Sequence, residues 1–569
     1  MNKIYKVIWS DARKCYVVVA EIAKNRGKNN VRTIVEGLSA HALVRAGRWA
    51  LPFVTAGALL LPVSAWATEI TPASVLPADQ KNTVVNNNGV YNVYMQRKIA
   101  NGPGVNQFDK FKLDSGNIAN MHFQTKSGGL KADSLVNLVK ARIDVQGTVN
   151  AIKDGRIGGN LFFISPNGMA VGPKGVINAG RFVALAPSSG YFDNLWSTSF
   201  TNNAAGNHDQ YVADAVKNDF AKFGTRYDKD EQEGKEEGEF KATGLEFAEG
   251  DADKKGIEIK GKINTRSGIV LGAGKIAIEN GAVLKSQKDI NFSSLVNTEN
   301  VSGAAFSNIG MTAVTDDRSG DIILRAEAKH DFTNNPLIPG EETYDSITNV
   351  NNHAAVTVKG EISGDAGVDI SAASQTTFNN KEWPGISGLS DVVPEFLNDL
   401  GITWAVDWAH KVNSAAVTLD SAGKVSAGGD ARLQADSTLS IKIQAKTVGK
   451  RDPGATTAIP VTAVAVVNAS NKALVDVKGE LAAGGDISLA ATADTTLDVT
   501  AKATTEKPDG DTGNAIYLGG GLLFGDSVAE VNIEALTKNN QPQKLTAGGA
   551  FSAEATANSE IVLRLSLRV

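Results

Sequence analysis

Residues able to do chemistry are few in this chain, and they are scattered. The six histidines, His41, His122, His208, His330, His353 and His410, fall at no spacing that would gather metal ligands. The only cysteine is Cys15, near the N-terminus. Once that segment is removed, the chain has no disulfide, thiolate metal site or cysteine nucleophile. Neither a Gly-x-Ser-x-Gly nucleophile elbow nor a phosphate-binding loop is present. That leaves carboxylates such as Asp365, Asp369, Asp430 and Asp486, which could cleave a glycosidic bond if two of them faced one another across a groove. An Asp beside glycine is more often a turn former. No residue is therefore assigned a catalytic role, and neither a metal nor a cofactor is expected.

The elements that must position these side chains repeat. Ile143-Asp144-Val145-Gln146-Gly147-Thr148-Val149-Asn150 returns as 257–264, as 356–363 and as 475–482. Each copy alternates β-branched and polar residues, which buries one face of a short strand, and then turns at a glycine. Such strands are too short to stand alone and must stack. A longer repeat lies over the first: Ala427-Gly428-Gly429-Asp430 recurs as 483–486 and, without its Asp, as 547–550. Its Gly-Gly-Asp has the composition of calcium-binding nonapeptides, but tandem copies nine residues apart are missing, which favours a plain turn. The fold expected is all-β, a right-handed parallel β-helix (solenoid) with helical or loop insertions. With 569 residues, 57 Gly and 6% aromatics, the chain has the small repeating units of a stack and not the mixed core of a large enzyme.

The most distinctive winding is Leu161 to Val183. Here an apolar strand runs into Ser165-Pro166-Asn167-Gly168-Met169, in which Pro fixes φ while Asn and Gly accept the positive φ of a tight turn. Gly175, Asn178 and Gly180 follow in the next strand and corner. This stretch resembles the Asn-Pro-Asn-Gly-Ile element of the two-partner secretion domain of filamentous-haemagglutinin-type exoproteins. Upstream, Phe108 to Met121 is similar to the variant of that domain found in leukotoxin-type filamentous adhesins. No counterpart of the family's second Asn-Pro-Asn-Leu element occurs. The likeness spans about residues 85 to 190; beyond it only the architecture agrees.

The N-terminus reads as an address. Ten of the 57 Lys and Arg, but three of the 62 Asp and Glu, lie in residues 1–67. Arg45 and Arg48 precede an apolar run from Trp49 to Leu61, too short to cross a bilayer, and Ala65-Trp66-Ala67 supplies small residues at a cleavage site after Ala67. Residues 1–24 are similar to the extended signal-peptide region of large type V secreted proteins, with Tyr16 where that family usually has Trp and Ala20 where it usually has Ser. The acidic remainder argues against nucleic acid as a partner.

These readings divide the chain into an extended signal peptide (1–67), a two-partner secretion domain (68–190), a charged helical or loop insertion (191–255) and a β-helix (256–380). A helical insertion (381–412) and further β-helix repeats (413–569) complete it. Within the first insertion, Tyr211, Val212, Ala215, Val216, Phe220 and Phe223 form a helical stripe; within the second, Val392, Phe396, Leu400, Trp404 and Trp408 suggest another. Both are expected to cover a flank of the stack. The resemblance implies an adhesin that uses the Sec translocon and signal peptidase and is then exported from the periplasm by an outer-membrane transporter with POTRA domains. The product would be secreted or held at the surface of a diderm bacterium and attach to a host receptor or glycan. A leukotoxin-like cytolysin and a β-helical carbohydrate-active enzyme are the alternatives. The closing alternation Ile561 to Val569 lacks a polar cap, which suggests a truncated fragment of a longer adhesin.

Overall fold

The computed structural model describes residues 5–10, 15–20, 68–76, 81–196, 211–226, 240–247, 256–288, 310–311, 321–333, 349–379, 403–450, 459–506, 515–534, 537–538, 541–542 and 545–568. Two compact units emerge, Met1–Ala67 and Thr68–Val569. In the first, Tyr5–Ser10 and Cys15–Ala20 pair as an antiparallel hairpin with Val7 opposite Val18 and Trp9 opposite Tyr16.

The second unit is a parallel β-solenoid. Three strands make a winding: Met169–Val171, Val176–Ala179 and Arg181–Leu185 are followed by Ile257–Ile259, Lys262–Thr265 and Ile269–Ala273. Each strand pairs in parallel, residue for residue, with its counterpart one winding on. Alternation sets the inward face, as in Ile257-Glu258-Ile259, whose isoleucines are buried while the glutamate is only partly so. Burying each such Val, Ile or Leu contributes about 1.5–3 kcal/mol, so the stack gains stability with every winding. Antiparallel strands cover its beginning: Glu69–Pro72 and Arg97–Lys98 pair with Gly104–Leu113, and Val84–Asn87 pairs with Val90–Tyr94.

Glycine corners are dictated by close approach. A Cβ on Gly261 would lie 2.2 Å from the carbonyl oxygen of Gly175, one winding back, and one on Gly484 would lie 2.1 Å from that of Gly428. The Gly-Gly-Asp corners are bends between strands, bonded to the winding before them. Asp430 Oδ1 accepts the Asp486 backbone N–H at 2.8 Å, and Asp486 Oδ1 accepts that of Ala550 at 2.7 Å. Each Asp thus ties its own corner to the next.

The strands lengthen along the stack. On one face Arg181–Leu185 and Ile269–Ala273 have 5 residues, Ile322–Thr333 and Val368–Asn379 have 12, and Ala431–Lys450 and Ile487–Glu506 have 20. The opposing face grows likewise through Asn349–Val358, Thr403–Leu419 and Ile459–Val477. The narrow tube thereby broadens into two long sheets packed face to face. Between them the interior is layered. One apolar cluster includes Ala415, Val417, Leu433 and Val475; another includes Ala409, Leu439, Ile441 and Val467. A buried polar row of Asn352, Asn413 and Asn471 lies between the two.

Described residues of the stretch expected to be an insertion pack on a flank of the stack. Val136, Leu138, Phe162, Ile164, Val183 and Leu185 make an apolar patch with Tyr191, Phe192, Leu195 and Trp196 of the helix Ser189–Trp196 and with Val212, Ala215, Phe220 and Phe223. The expected stripe holds except at Tyr211, which is exposed, and residues Ala215–Phe220 are π-helical. The second insertion differs from expectation. Residues 403–412, including Trp404 and Trp408, belong to the strand Thr403–Leu419, because in-register pairing with Ile459–Val477 overrides their helix-like spacing. Residues 380–402 lie outside the described residues.

Candidate functional site

The secretion-motif residues come together in one winding. Ser165, buried, donates its hydroxyl to Ala141 O at 2.9 Å and accepts the Asn167 backbone N–H at 3.1 Å. The Gly168 N–H closes the turn onto Ser165 O at 3.1 Å, with Pro166 and Asn167 at its centre. Asn167 donates Nδ2 to Lys140 O at 2.6 Å, a bond from the turn to the previous winding. Positive φ is confined to Gly168, at +76°, and Asn167 does not adopt it. The corresponding expectation for Asn167 is corrected by its side chain, whose bond to Lys140 is made from the ordinary side of φ space. Met169 then opens the strand Met169–Val171 between Ile143–Val145 and Ile257–Ile259.

Downstream, Gly175 turns onto Gly172 O at 2.8 Å, and a Cβ there would meet Val145 O at 2.3 Å. Gly180 gives its carbonyl to the N–H groups of Arg266 and Ser267 and to the Ser267 hydroxyl. Asn178 is fully buried and part of a ladder that the sequence reading did not identify. Asn120 donates to Asn92, Asn150 to Asn120, Asn178 to Asn150 and Asn264 to Asn178, each amide to the carboxamide oxygen one winding back at 3.0–3.2 Å. The signal lay in the repeats themselves, in which Val149-Asn150, Ile177-Asn178 and Ile263-Asn264 share one position.

His122 meets the head of this ladder. Its ring stacks on Tyr94 at 4.5 Å between centroids, and Nε2 lies 3.0 Å from Asn92 Oδ1, fitting the tautomer that donates from Nε2. Burial lowers its pKa to about 4, so it is neutral at physiological pH. The second ladder runs Asn352 to Asn413 to Asn471 at 3.1 Å per step, with Ser374, Ser437 and Thr495 of the facing sheet within hydrogen-bond distance.

The carboxylates weighed for catalysis are engaged structurally. Asp369 accepts both Nε and Nη2 of Arg226, at 2.6 and 3.1 Å, Asp365 accepts the Lys288 N–H at 2.9 Å, and Asp430 and Asp486 hold the corners described above. Arg226 also stacks on Phe240 at 3.6 Å, and Arg325 stacks on the same ring at 3.6 Å. That double cation–π contact pins the returning end of the insertion to the stack, and no sequence pattern announced it. Among the described residues, no group of three or more His, Cys, Asp or Glu could hold a metal ion. The cleavage residues Ala65 and Ala67, with His41 and His208, lie outside the described residues.

The arrangement ties each winding to the one before it through side-chain hydrogen bonds. Residues 1–50 match the family of extended signal peptides of the type V secretion system. No curated protein matches the chain. A type V signal marks a secretion substrate of a Gram-negative bacterium and implies an outer-membrane transporter as partner.

Proposed function

We propose that the chain is a two-partner secretion exoprotein and a filamentous adhesin. After Sec-dependent export and cleavage behind Ala67, residues 68 to about 190 would be recognised in the periplasm by the POTRA domains of a dedicated transporter. The unfolded chain, free of cysteine once Cys15 is removed, passes outward and folds by stacking. Each finished winding templates the next through in-register parallel pairing, so burial of apolar side chains drives folding without a nucleotide. The product attaches to a surface receptor or glycan of a host cell and carries out no catalysis.

One observation carries this reading: a type V signal at residues 1–50 precedes a solenoid in which the Ser165–Gly168 turn is tied by side-chain bonds to the preceding winding. The test is secretion of the wild-type chain with and without a two-partner transporter from the same genome, beside Asn167→Ala and Gly168→Val. Transporter-dependent release is expected, reduced at least tenfold in Gly168→Val. Refolding of the purified variants from urea separates a recognition defect from a folding defect. Release that is the same without the transporter would sink the proposal.

A further inference from the structure

A cavity of about 280 Å³ opens where the start of one long sheet meets the returning insertion. Its floor crosses five successive windings, from Arg181 through Gly268, Asp321 and Gly367 to Arg432, and Gly224–Arg226 form a wall. At about 4.8 Å per strand the floor runs roughly 19 Å along the stack. The wall is preformed, because Arg226 is fixed by both oxygens of Asp369 and by the face of Phe240.

The charges balance, with Arg181, Arg226 and Arg432 against Asp321, Asp369 and Asp430. Each carboxylate already has a structural partner: Asp321 Oδ1 accepts the Gly367 N–H at 2.8 Å, Asp430 Oδ1 accepts that of Asp486, and Asp369 is paired with Arg226. What remains along the floor is a second acceptor oxygen on Asp321 and on Asp430, and the Arg432 guanidinium, which has no partner among the described residues. Gly268 and Gly367, one winding to either side of Asp321, add no side chain of their own to the floor.

Three ligand classes can be weighed against this pattern. A polyanion would meet three carboxylates and no net positive charge. An extended peptide would need a free strand edge, but the strands of this floor are paired in register on both sides from Ile269–Ala273 to Val368–Asn379. A chain of hydroxyl groups, each both donor and acceptor, uses alternating acceptors and donors without a net charge. We propose that this groove binds an uncharged oligosaccharide laid along the stack; the inference rests on the attachment reading above and names its ligand class.

The test is calorimetric titration of the purified secreted protein with cellohexaose, maltohexaose and chitohexaose, and with hexagalacturonate as the anionic counterpart. At least one neutral hexasaccharide is expected to bind with a Kd of about 1 mM or tighter and to be insensitive to added salt. Arg432→Ala should weaken it at least tenfold, with an unchanged melting temperature because Arg432 holds no ion pair among the described residues; Lys472→Ala, on the opposite sheet, should not weaken it. Absence of neutral binding, tighter binding of hexagalacturonate, or equal affinity in Arg432→Ala would overturn the proposal. Cell attachment assayed on the same samples separates the two readings: attachment that persists in Arg432→Ala removes the groove and spares the adhesin. Sugar binding without attachment does the reverse.

Discussion

Asn178 donates its side-chain amide to the carboxamide oxygen of Asn150 at 3.0 Å across 28 positions of sequence, with both residues fully buried. A hydrogen bond of this kind specifies register, because slipping the winding by one residue would put an apolar side chain opposite each asparagine.

Asn178→Ala is expected to cost about 1–3 kcal/mol, since it strands the Asn150 acceptor and the Asn264 donor together. Asn178→Asp should cost at least as much: a carboxylate can accept from Asn264 but cannot donate to Asn150, and it buries a charge. Urea unfolding followed by far-UV circular dichroism measures both. A midpoint unchanged in either variant would show that the ladder is incidental to stability.

Removing Arg226 should free the insertion from the stack. The pair with Asp369 is largely shielded, with side chains 11% and 17% exposed, and breaking such a pair by deleting one partner costs on the order of 3 kcal/mol. Arg226→Ala also removes one of the two cations stacked on Phe240. Limited proteolysis should cut the insertion between Arg226 and Phe240 faster in the variant. Equal cleavage rates would mean that the apolar flank alone holds the insertion.

The solenoid was legible in the sequence because period-two alternation and glycine corners are local signals. The four copies of Val-x-Val-x-Gly type fall in one column of the stack. Contacts whose partners lie tens of residues apart were not legible. Arg226 meets Asp369 across 143 positions, and no spacing rule links them. Trp404 and Trp408 were misread for the opposite reason: their spacing of four is helical locally, but pairing with Ile459–Val477 decided the outcome. At Asn167 the residue type allowed positive φ, while the bond to Lys140 O fixed the backbone elsewhere.

Two glycines separate close approach from mere flexibility. Gly484→Ala would place a Cβ 2.1 Å from Gly428 O, where backbone must move, and a loss of at least about 1–3 kcal/mol is expected. Gly190 sits in the helix Ser189–Trp196 with open space around its missing Cβ. Gly190→Ala should stabilise by up to about 1 kcal/mol through helix propensity. Opposite shifts in thermal midpoint check the pair; two shifts of the same sign would refute the distinction.

Lys411 gives the fold a pH dependence with a definite sign. Its side chain is fully buried between the two apolar layers, flanked in register by Val350 and Ala469, with Nζ 4.4 Å from the Phe378 ring centroid. Desolvation lowers its pKa to about 7, against 10.5 for an ordinary lysine. Between those values the unfolded chain holds a proton that the folded chain has released, so stability should rise with pH from about 7 to about 10.5. The gain is full above the ordinary lysine range and lost as pH falls through 7; below that, both states carry the proton. Urea midpoints at pH 7 and pH 10 should therefore differ more for the wild type than for Lys411→Met. At pH 7 the variant should be the more stable, because methionine fills the same apolar space without an ammonium to desolvate. His330, also buried, is held constant in the comparison by making both measurements in the wild-type and Lys411→Met backgrounds. Parallel pH profiles for the two proteins would show that Lys411 keeps an ordinary pKa and that the interior at this level is open to water.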